Sequence, residues 1–470
     1  MTVDVAIIGA GFAGIGMGAQ LLRAGREPFV ILERAADVGG TWRDNTYPGV
    51  ASDVPAHLYS YSFRPQPAWS RLFAPGAEIH DYLRETVRAE GLTPHLRLGT
   101  EVLDIRWNGE RWDVATSAGP VSARSVVLAA GRLTEPAMAD VDGDFDGLAF
   151  HSSRWPEGLD LTGLRVGVIG TGASAAQLVP HVAEVAESLV VFQRSAPWVI
   201  PRADRPAEDD DRDELFAAAE QGFAARVLDT TALAALRQRA IDHRTAQVAD
   251  PGLRAALAPH YEIGCKRVVI SDDYYPALGK RHVTVEPSAV ARFEGASVVA
   301  SAGPSYELDV LIHATGFAAT RPPYARIVTG RDGETLAQHW ADGMTAYAST
   351  VVSGFPNLFV INGPNATLGH NSAIHVIESQ VAYILGALTH VDEVGQLEVS
   401  AEAEASYVRE LDAASASTVW MSGCSSWYRD ESSGRLALIW PGTAAEFRRR
   451  NGVFDPAPYT VLSAAGHVPT

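Results

Sequence analysis

Two glycine-rich turns in this chain have the residue types and spacing to cradle phosphate. The first, Gly9-Ala-Gly11-Phe-Ala13-Gly14, follows the apolar run Val3-Asp-Val-Ala-Ile-Ile and opens a helical run from Ile15 to Arg26. At such a turn the first glycine permits the tight bend. The second lets the backbone approach a pyrophosphate at the positive end of the helix, and the third lets helix and strand pack closely. A further strand, Pro28 to Leu32, ends at Glu33. That acid lies about 20 residues past the glycines, where a carboxylate accepts hydrogen bonds from ribose hydroxyls. The second turn, Gly170-Thr171-Gly172-Ala173-Ser174-Ala175, has alanine at the third position, which the pattern allows. The strand after it, Ser188 to Phe192, leads into Gln193-Arg194-Ser195, with no acid where the first unit has Glu33. A guanidinium can pair two oxygens of a 2′-phosphate, so Arg194 argues for NADPH over NADH. Contacts to the first dinucleotide are expected from Gly9, Gly11, Ala13, Gly14 and Glu33. Contacts to the second are expected from Gly170, Thr171, Gly172, Ala173, Ser174, Gln177, Arg194 and Ser195.

Composition and periodicity bound the elements that must position these turns. A chain of 470 residues has room for two or three domains with sizeable cores. A net charge of -18 argues for solubility and against a nucleic-acid partner. No apolar run reaches the roughly 20 residues of a membrane helix. The apolar start from Val3 to Leu22 lacks the basic leading segment of a signal peptide and is broken by glycines. Two cysteines, Cys265 and Cys424, cannot make a disulfide framework, so the expected setting is reducing and cytoplasmic. Cys265 itself reads as a small buried residue.

The expected fold is α/β, with two dinucleotide-binding units of Rossmann type. The first unit is discontinuous, over 1–140 and 309–470 including a C-terminal tail. A connector spans 141–156, and the second unit covers 157–308 with a helical insertion at about 204–260. Ile79, Leu83 and Val87 share one face and predict a helix over 77–90. Short alternating runs between 97 and 130 predict a strand meander. Ser125 to Gly131 and Asp309 to Phe317 predict buried strands where the chain leaves and re-enters the first unit. Leu215 to Val227 and Ala232 to Ile241 predict helices of the insertion, and the acidic cluster Glu208 to Glu214 a solvated face. A helix is expected from Ser372 to Leu388, its N-terminus favouring negative charge. His370, just before it, reads as a capping or packing residue.

Three further patterns combine residues that are rare at fixed offsets. Phe145-Asp-Gly-Leu-Ala-Phe-His151-Ser-Ser-Arg-Trp155-Pro156 lies between the two turns. Gly40-Thr41-Trp42 runs on to Tyr47-Pro48-Gly49 and Asp53, and Lys266-Arg267 is followed by Tyr274-Tyr275. Over residues 3 to 447 the chain resembles the Baeyer–Villiger monooxygenases, flavoenzymes that insert one oxygen atom of O2 beside a ketone carbonyl. The resemblance implies FAD in the first unit, with Gly40, Thr41, Trp42, Tyr59 and the backbone near Val102 along it, and NADP(H) in the second. It implies that Lys266 supports the NADP phosphate and Trp427 the nicotinamide ribose. It implies Arg267 and Asp53 as a catalytic pair, the arginine giving a cation that cannot lose its proton beside a flavin peroxide. Tyr61 and Phe63 read as core. The partners so implied are O2 and a small ketone, with no nucleic acid, membrane or obligatory protein. Ala130 stands where the family's crossing motif has threonine, and the tail lacks the better-known branch's Gly-Ala-Asn-Ile-Pro-Gly, so substrate scope does not transfer. Two alternatives stay open. One is an N- or S-oxygenating flavin monooxygenase, disfavoured by Trp155-Pro156. The other is a two-dinucleotide reductase, disfavoured because no Cys-x-x-Cys exists.

Overall fold

The computed structural model describes residues 1–66 and 68–462, so the 463–470 end of the expected 309–470 segment lies outside the described residues. Strand β1 (Thr2–Ile8) leads through the first glycine turn into α1 (Phe12–Arg23) and β2 (Phe29–Leu32). Helix α1 starts before its apolar spacing predicts, because the glycine turn supplies its first turn with Gly11 as N-cap. It ends before Gly25, whose φ of 66° breaks right-handed continuation. Helix α2 (Gly76–Ala89) buries Ile79, Leu83 and Val87, as their spacing requires. Then come β3 (Leu96–Arg97) and the antiparallel meander β4 (Val102–Trp107), β5 (Trp112–Thr116) and β6 (Val121–Leu128).

The chain continues through β7 (Leu148–His151), β8 (Arg165–Ile169), α3 (Ala173–Val185) and β9 (Ser188–Phe192). The insertion holds α4 (Arg212–Gln221), α5 (Thr231–Gln247) and α6 (Pro251–Ala256). Each begins on a side-chain cap, from Asp211, Thr230 and Asp250 respectively, that satisfies first-turn N–H groups. The helix expected over 215–227 stops at Gln221 and tightens into a 3₁₀ turn, Gly222–Arg226. Strands β10 (Val283–Glu286), β11 (Val310–His313), β12 (Val328–Thr329) and β13 (Leu358–Val360) follow, then α7 (Ala373–Val394) and α8 (Ala444–Asn451).

Strand β6 is the spine of the first sheet, whose order is β12-β4-β5-β6-β1-β2-β3. One edge of β6 pairs in parallel with β1, Ile8 against Leu128. The other edge is shared: β5 takes its start in antiparallel register and β13 its end in parallel. Helices α1, α2 and α7 bury one face around Ile7, Ile15, Leu83 and Ile384, and Trp107, Trp112, Leu336 and Trp340 fill the other. The second sheet, β10-β9-β8-β11-β7, is parallel throughout. Its strands read as continuous apolar runs because both faces are covered.

The connector is built into the second sheet, with β7 as its edge strand. His151 is 2% exposed. Its Nδ1 accepts from the Ser153 N–H at 3.2 Å, which leaves Nε2 to donate to the Gly316 carbonyl at 2.9 Å. One neutral imidazole thus clamps both chain crossings, and burial holds its pKa below the usual histidine range. His151→Ala would remove one of two donors to the Gly316 carbonyl, which also accepts from the Ala137 N–H at 2.9 Å, and would empty a buried site. We expect a loss of about 1–3 kcal/mol of stability, checked by denaturant unfolding. Among the described residues no helix is long and apolar enough to cross a membrane.

Candidate active site

At the first turn, a Cβ on Gly14 would overlap the carbonyl oxygen of Gly9, so helix and strand meet as closely as backbone allows. Gly11 and Gly40 face each other, a Cβ on Gly40 lying 3.3 Å from the Gly11 Cα. Ala13 is buried beneath this groove. Glu33 accepts from the Ala10 N–H on Oε2 and from the Ala35 N–H and Arg43 on Oε1. Oε2 therefore keeps lone-pair capacity for a ribose hydroxyl. Thr41 and Trp42 start a single helical turn, and the Tyr59 ring stands edge-on to Trp42 at 5.4 Å. Val102 begins β4, half-buried. A bare helix N-terminus, an apposed pair of glycines and an acid at the strand end fit the pyrophosphate and ribose of FAD. Tyr61, fully buried, donates to the Phe12 carbonyl, and Phe63 stacks on it, so both serve the core.

The second turn repeats the plan. Gly170, at φ 114°, lies where a Cβ would overlap the Ala314 carbonyl, and Gly172 caps α3 with open space before it. Ala173 and Ser174 begin the helix, and the Thr171 hydroxyl donates to the Ser195 carbonyl at 2.9 Å. Lys266 Nζ donates to Ser195 Oγ at 2.9 Å and lies over the Tyr261 ring. Burial lowers the Lys266 pKa, and the nearby exposed Arg194 lowers it further. Two cations pressed together beside a hydroxyl fit the 2′-phosphate of NADP. Arg194→Ala is expected to raise KM for NADPH about 10- to 100-fold, the worth of one charge-assisted bond, and to leave KM for NADH little changed. Steady-state kinetics with both coenzymes checks it.

Between the two turns Asp53 and Arg267 form a two-pronged ion pair, Nε to Oδ2 at 2.6 Å and Nη2 to Oδ1 at 2.7 Å. The Asp53 loop is held from the second unit. Gly49, at φ 85°, approaches α3 so closely that a Cβ would lie 2.6 Å from the Gln177 carbonyl. The Gln177 side chain, expected at the nucleotide, instead links the Tyr47 hydroxyl at 2.9 Å to the Ala51 carbonyl at 2.9 Å. Burial alone would raise the Asp53 pKa, but Arg267 outweighs it and holds the carboxyl below its ordinary value. Arg267 is correspondingly raised, chiefly by Asp53. Because the folded-state pKa of Asp53 is the lower one, the pair's stabilisation is complete above the unfolded value and is lost only as pH falls through the folded one. The activity profile is therefore expected to show no limb from Asp53 above about pH 5. An acid limb nearer neutrality that Asp53→Asn abolishes would contradict this.

Sequence reasoning missed two neighbours of the pair. Tyr428 is 1% exposed, and its hydroxyl lies close to the Arg267 guanidinium. Arg202 donates to the Ser52 carbonyl at 3.1 Å and adds positive charge near Asp53. Tyr428 stands beside Trp427 in a turn, so no strand alternation marks which of the two faces inward. Trp427 is itself 37% exposed, its ring 4.4 Å from that of Tyr428. His370 is packed against Phe223 with Nε2 3.4 Å from Glu220. Glu220 also accepts from Asn371 and from the first N–H groups of α8, and these bonds bring its pKa down to about 2 against the upward push of burial.

The cysteines require a correction. Cys265 and Cys424 are joined in a disulfide across 159 residues of sequence. The composition argument had no means of pairing them, because the fold brings Cα atoms 159 residues apart in sequence to 6.3 Å.

Sequence comparison matches residues 6–209 to the family described as pyridine nucleotide-disulphide oxidoreductase. A Baeyer–Villiger monooxygenase of Streptomyces coelicolor is 42% identical, over 98% of this chain and 93% of that one. One from Pseudomonas aeruginosa is 39% identical, over 97% and 90%. Among solved structures, an OTEMO complex with FAD and NADP superposes with a TM-score of 0.88 at 26% identity, covering 98% of this chain and 99% of that one. The closed form of cyclohexanone monooxygenase superposes at 0.87 and 27% identity with the same coverage. Two nucleotide cradles meeting at an arginine–aspartate pair, and near full-length identity to these enzymes, place the chain in the Baeyer–Villiger monooxygenase family.

Proposed function

We propose that the chain is an FAD- and NADPH-dependent monooxygenase that places one oxygen atom of O2 beside a ketone carbonyl, giving an ester or lactone. The balance is ketone, O2, NADPH and a proton in, and ester, NADP and water out. The observation that carries this reading is the Arg267–Asp53 pair at the junction of the two cradles. When bound, FAD supplies the oxygen chemistry and NADPH the electrons.

The chain's own residues do the rest. The N-termini of α1 and α3 hold the pyrophosphates, Glu33 a ribose, and Arg194 with Lys266 the 2′-phosphate. Arg267 presents a fixed positive charge where negative charge develops on the attacked carbonyl oxygen. Asp53 grips two of its nitrogens and fixes the plane of the guanidinium, so no reorientation is needed at the moment of reaction. The buried Tyr428 hydroxyl stands beside it.

Isotopically heavy O2 tests the reading. One labelled atom in the ester and one NADPH consumed per ester is the expected result. A sulfide oxidised in preference to a ketone in direct competition would move the assignment to heteroatom oxygenation.

A further inference from the structure

Arg226 and Arg132 are two partly buried guanidiniums without a carboxylate. Arg226 ends the 3₁₀ turn of the insertion. Its stem packs on the Arg267 loop, with Cδ 3.6 Å from where a Gly264 Cβ would lie. Its nitrogens donate only to backbone carbonyls, to Gly369 at 3.1 and 3.4 Å and to Ala225 at 3.4 Å. Arg132 follows the crossing strand β6 and donates to Thr367 Oγ1, to the Leu438 carbonyl and to Asn362 Oδ1. Burial pushes both down to about 10, and the nearby charge of Arg267 lowers Arg226 further. Tyr428 feels all three cations or acts on them.

By contrast Arg43, Arg165 and Arg237, elsewhere in the chain, all have acids. A buried cation without a counter-charge is costly, and a fold that keeps one on the Arg267 loop and another on the tail carbonyl of Leu438, whose N–H bonds to Tyr428, gains from an anion that arrives there. The phosphates of the two nucleotides have their own cradles at α1, α3 and Arg194. We propose that Arg226, together with Arg132, binds a carboxylate carried by the substrate, so that the preferred ketones are keto acids. This rests on the ketone reading above and narrows it. The planar fork of arginine suits a carboxylate, and both guanidiniums, bonded only to neutral carbonyl, hydroxyl and amide oxygens, have donor capacity left over.

The test measures binding as well as turnover, so that it survives failure of the ketone reading. Methyl-ketone carboxylates of increasing length, beginning with levulinate, and their primary amides are titrated calorimetrically into the enzyme loaded with FAD and NADP. The expected result is tighter binding of the acid than of its amide, with the acid-to-amide ratio in Kd and in kcat/KM shifted about 10- to 100-fold toward the amide in Arg226→Met. Arg226→Lys should recover part of it. FAD content and melting temperature show whether a variant is folded, and Arg132→Met is the second probe should Arg226→Met fail to fold. Equal affinity for acid and amide in the wild type overturns the proposal. So does a variant that keeps the ratio but shifts the flavin midpoint potential, which would assign these charges to the reduced flavin. Acid-selective binding without ester formation would keep the carboxylate site and sink the ketone reading instead.

Discussion

Arg267→Ala is expected to leave FAD bound and to lower ester formation by about 10²- to 10³-fold, the usual loss when a preorganised oxyanion partner is removed. The proposed FAD cradle, Gly9, Gly11, Gly14 and Glu33, lies on or beside elements that do not carry Arg267. Flavin content should therefore stay close to one per chain. What is lost is the charge facing the reacting carbonyl. A second effect compounds it. Asp53 is held ionised by Arg267 against burial. Without the arginine its pKa rises, and the carboxyl takes up a proton or leaves an unpaired negative charge where the reaction builds another. Arg267→Lys should recover little, because one ammonium cannot meet both Asp53 oxygens at 2.6 and 2.7 Å and still present its charge in a fixed plane. Flavin absorbance, NADPH consumption and chromatographic ester yield are the three readouts. Ester at the wild-type rate would end the assignment.

Gly14→Ala is expected to cut FAD content by more than about tenfold, the equivalent of roughly 1.4 kcal/mol or more. The single added methyl would sit on the Gly9 carbonyl oxygen, with the Ile7 Cγ2 3.3 Å away. Ile7 belongs to β1, which pairs with β2 on one side and β6 on the other, and Gly9 follows directly with its N–H bonded to the Leu32 carbonyl, so neither can retreat. Helix α1 must tilt out, which moves its N-terminus away from the pyrophosphate and opens the core around Ile15 and Leu21. A drop in melting temperature should accompany the loss of flavin. Normal FAD content in this variant would mean that the cradle is not where the glycines are.

What could be read in advance was local. The glycine turns, their strands and helices, Glu33 and the absence of its counterpart after β9 each lie within one strand–turn–helix unit, where spacing along the chain is spacing in space. The insertion was visible as an acidic cluster followed by an alanine-rich change of composition, but not the stop at Gln221, since Gly222 is tolerated in many helices. Asp53 and Arg267 stand 214 residues apart. No periodicity joins them, and only the family resemblance brought them together. Gln177 shows the opposite failure. It follows the second turn as a nucleotide contact would, yet the partner that claims its amide is a loop folded over from the first unit. Tyr428 was hidden because Trp427 drew the attention of the motif. Sequence could not tell which of two adjacent aromatics turns inward.

The covalent tie between Cys265 and Cys424 has a mechanical consequence. Lys266 and Arg267 directly follow one end of it, and Trp427 and Tyr428 lie just past the other. The loop proposed to hold the NADP phosphate and the tail proposed to reach the nicotinamide are therefore joined in one covalent bracket. If the second unit swings relative to the first as coenzyme and product exchange places, it must drag the tail with it. The hinge then lies outside this bracket, at the crossings clamped by His151, and the wall around Arg267 travels intact through the stroke.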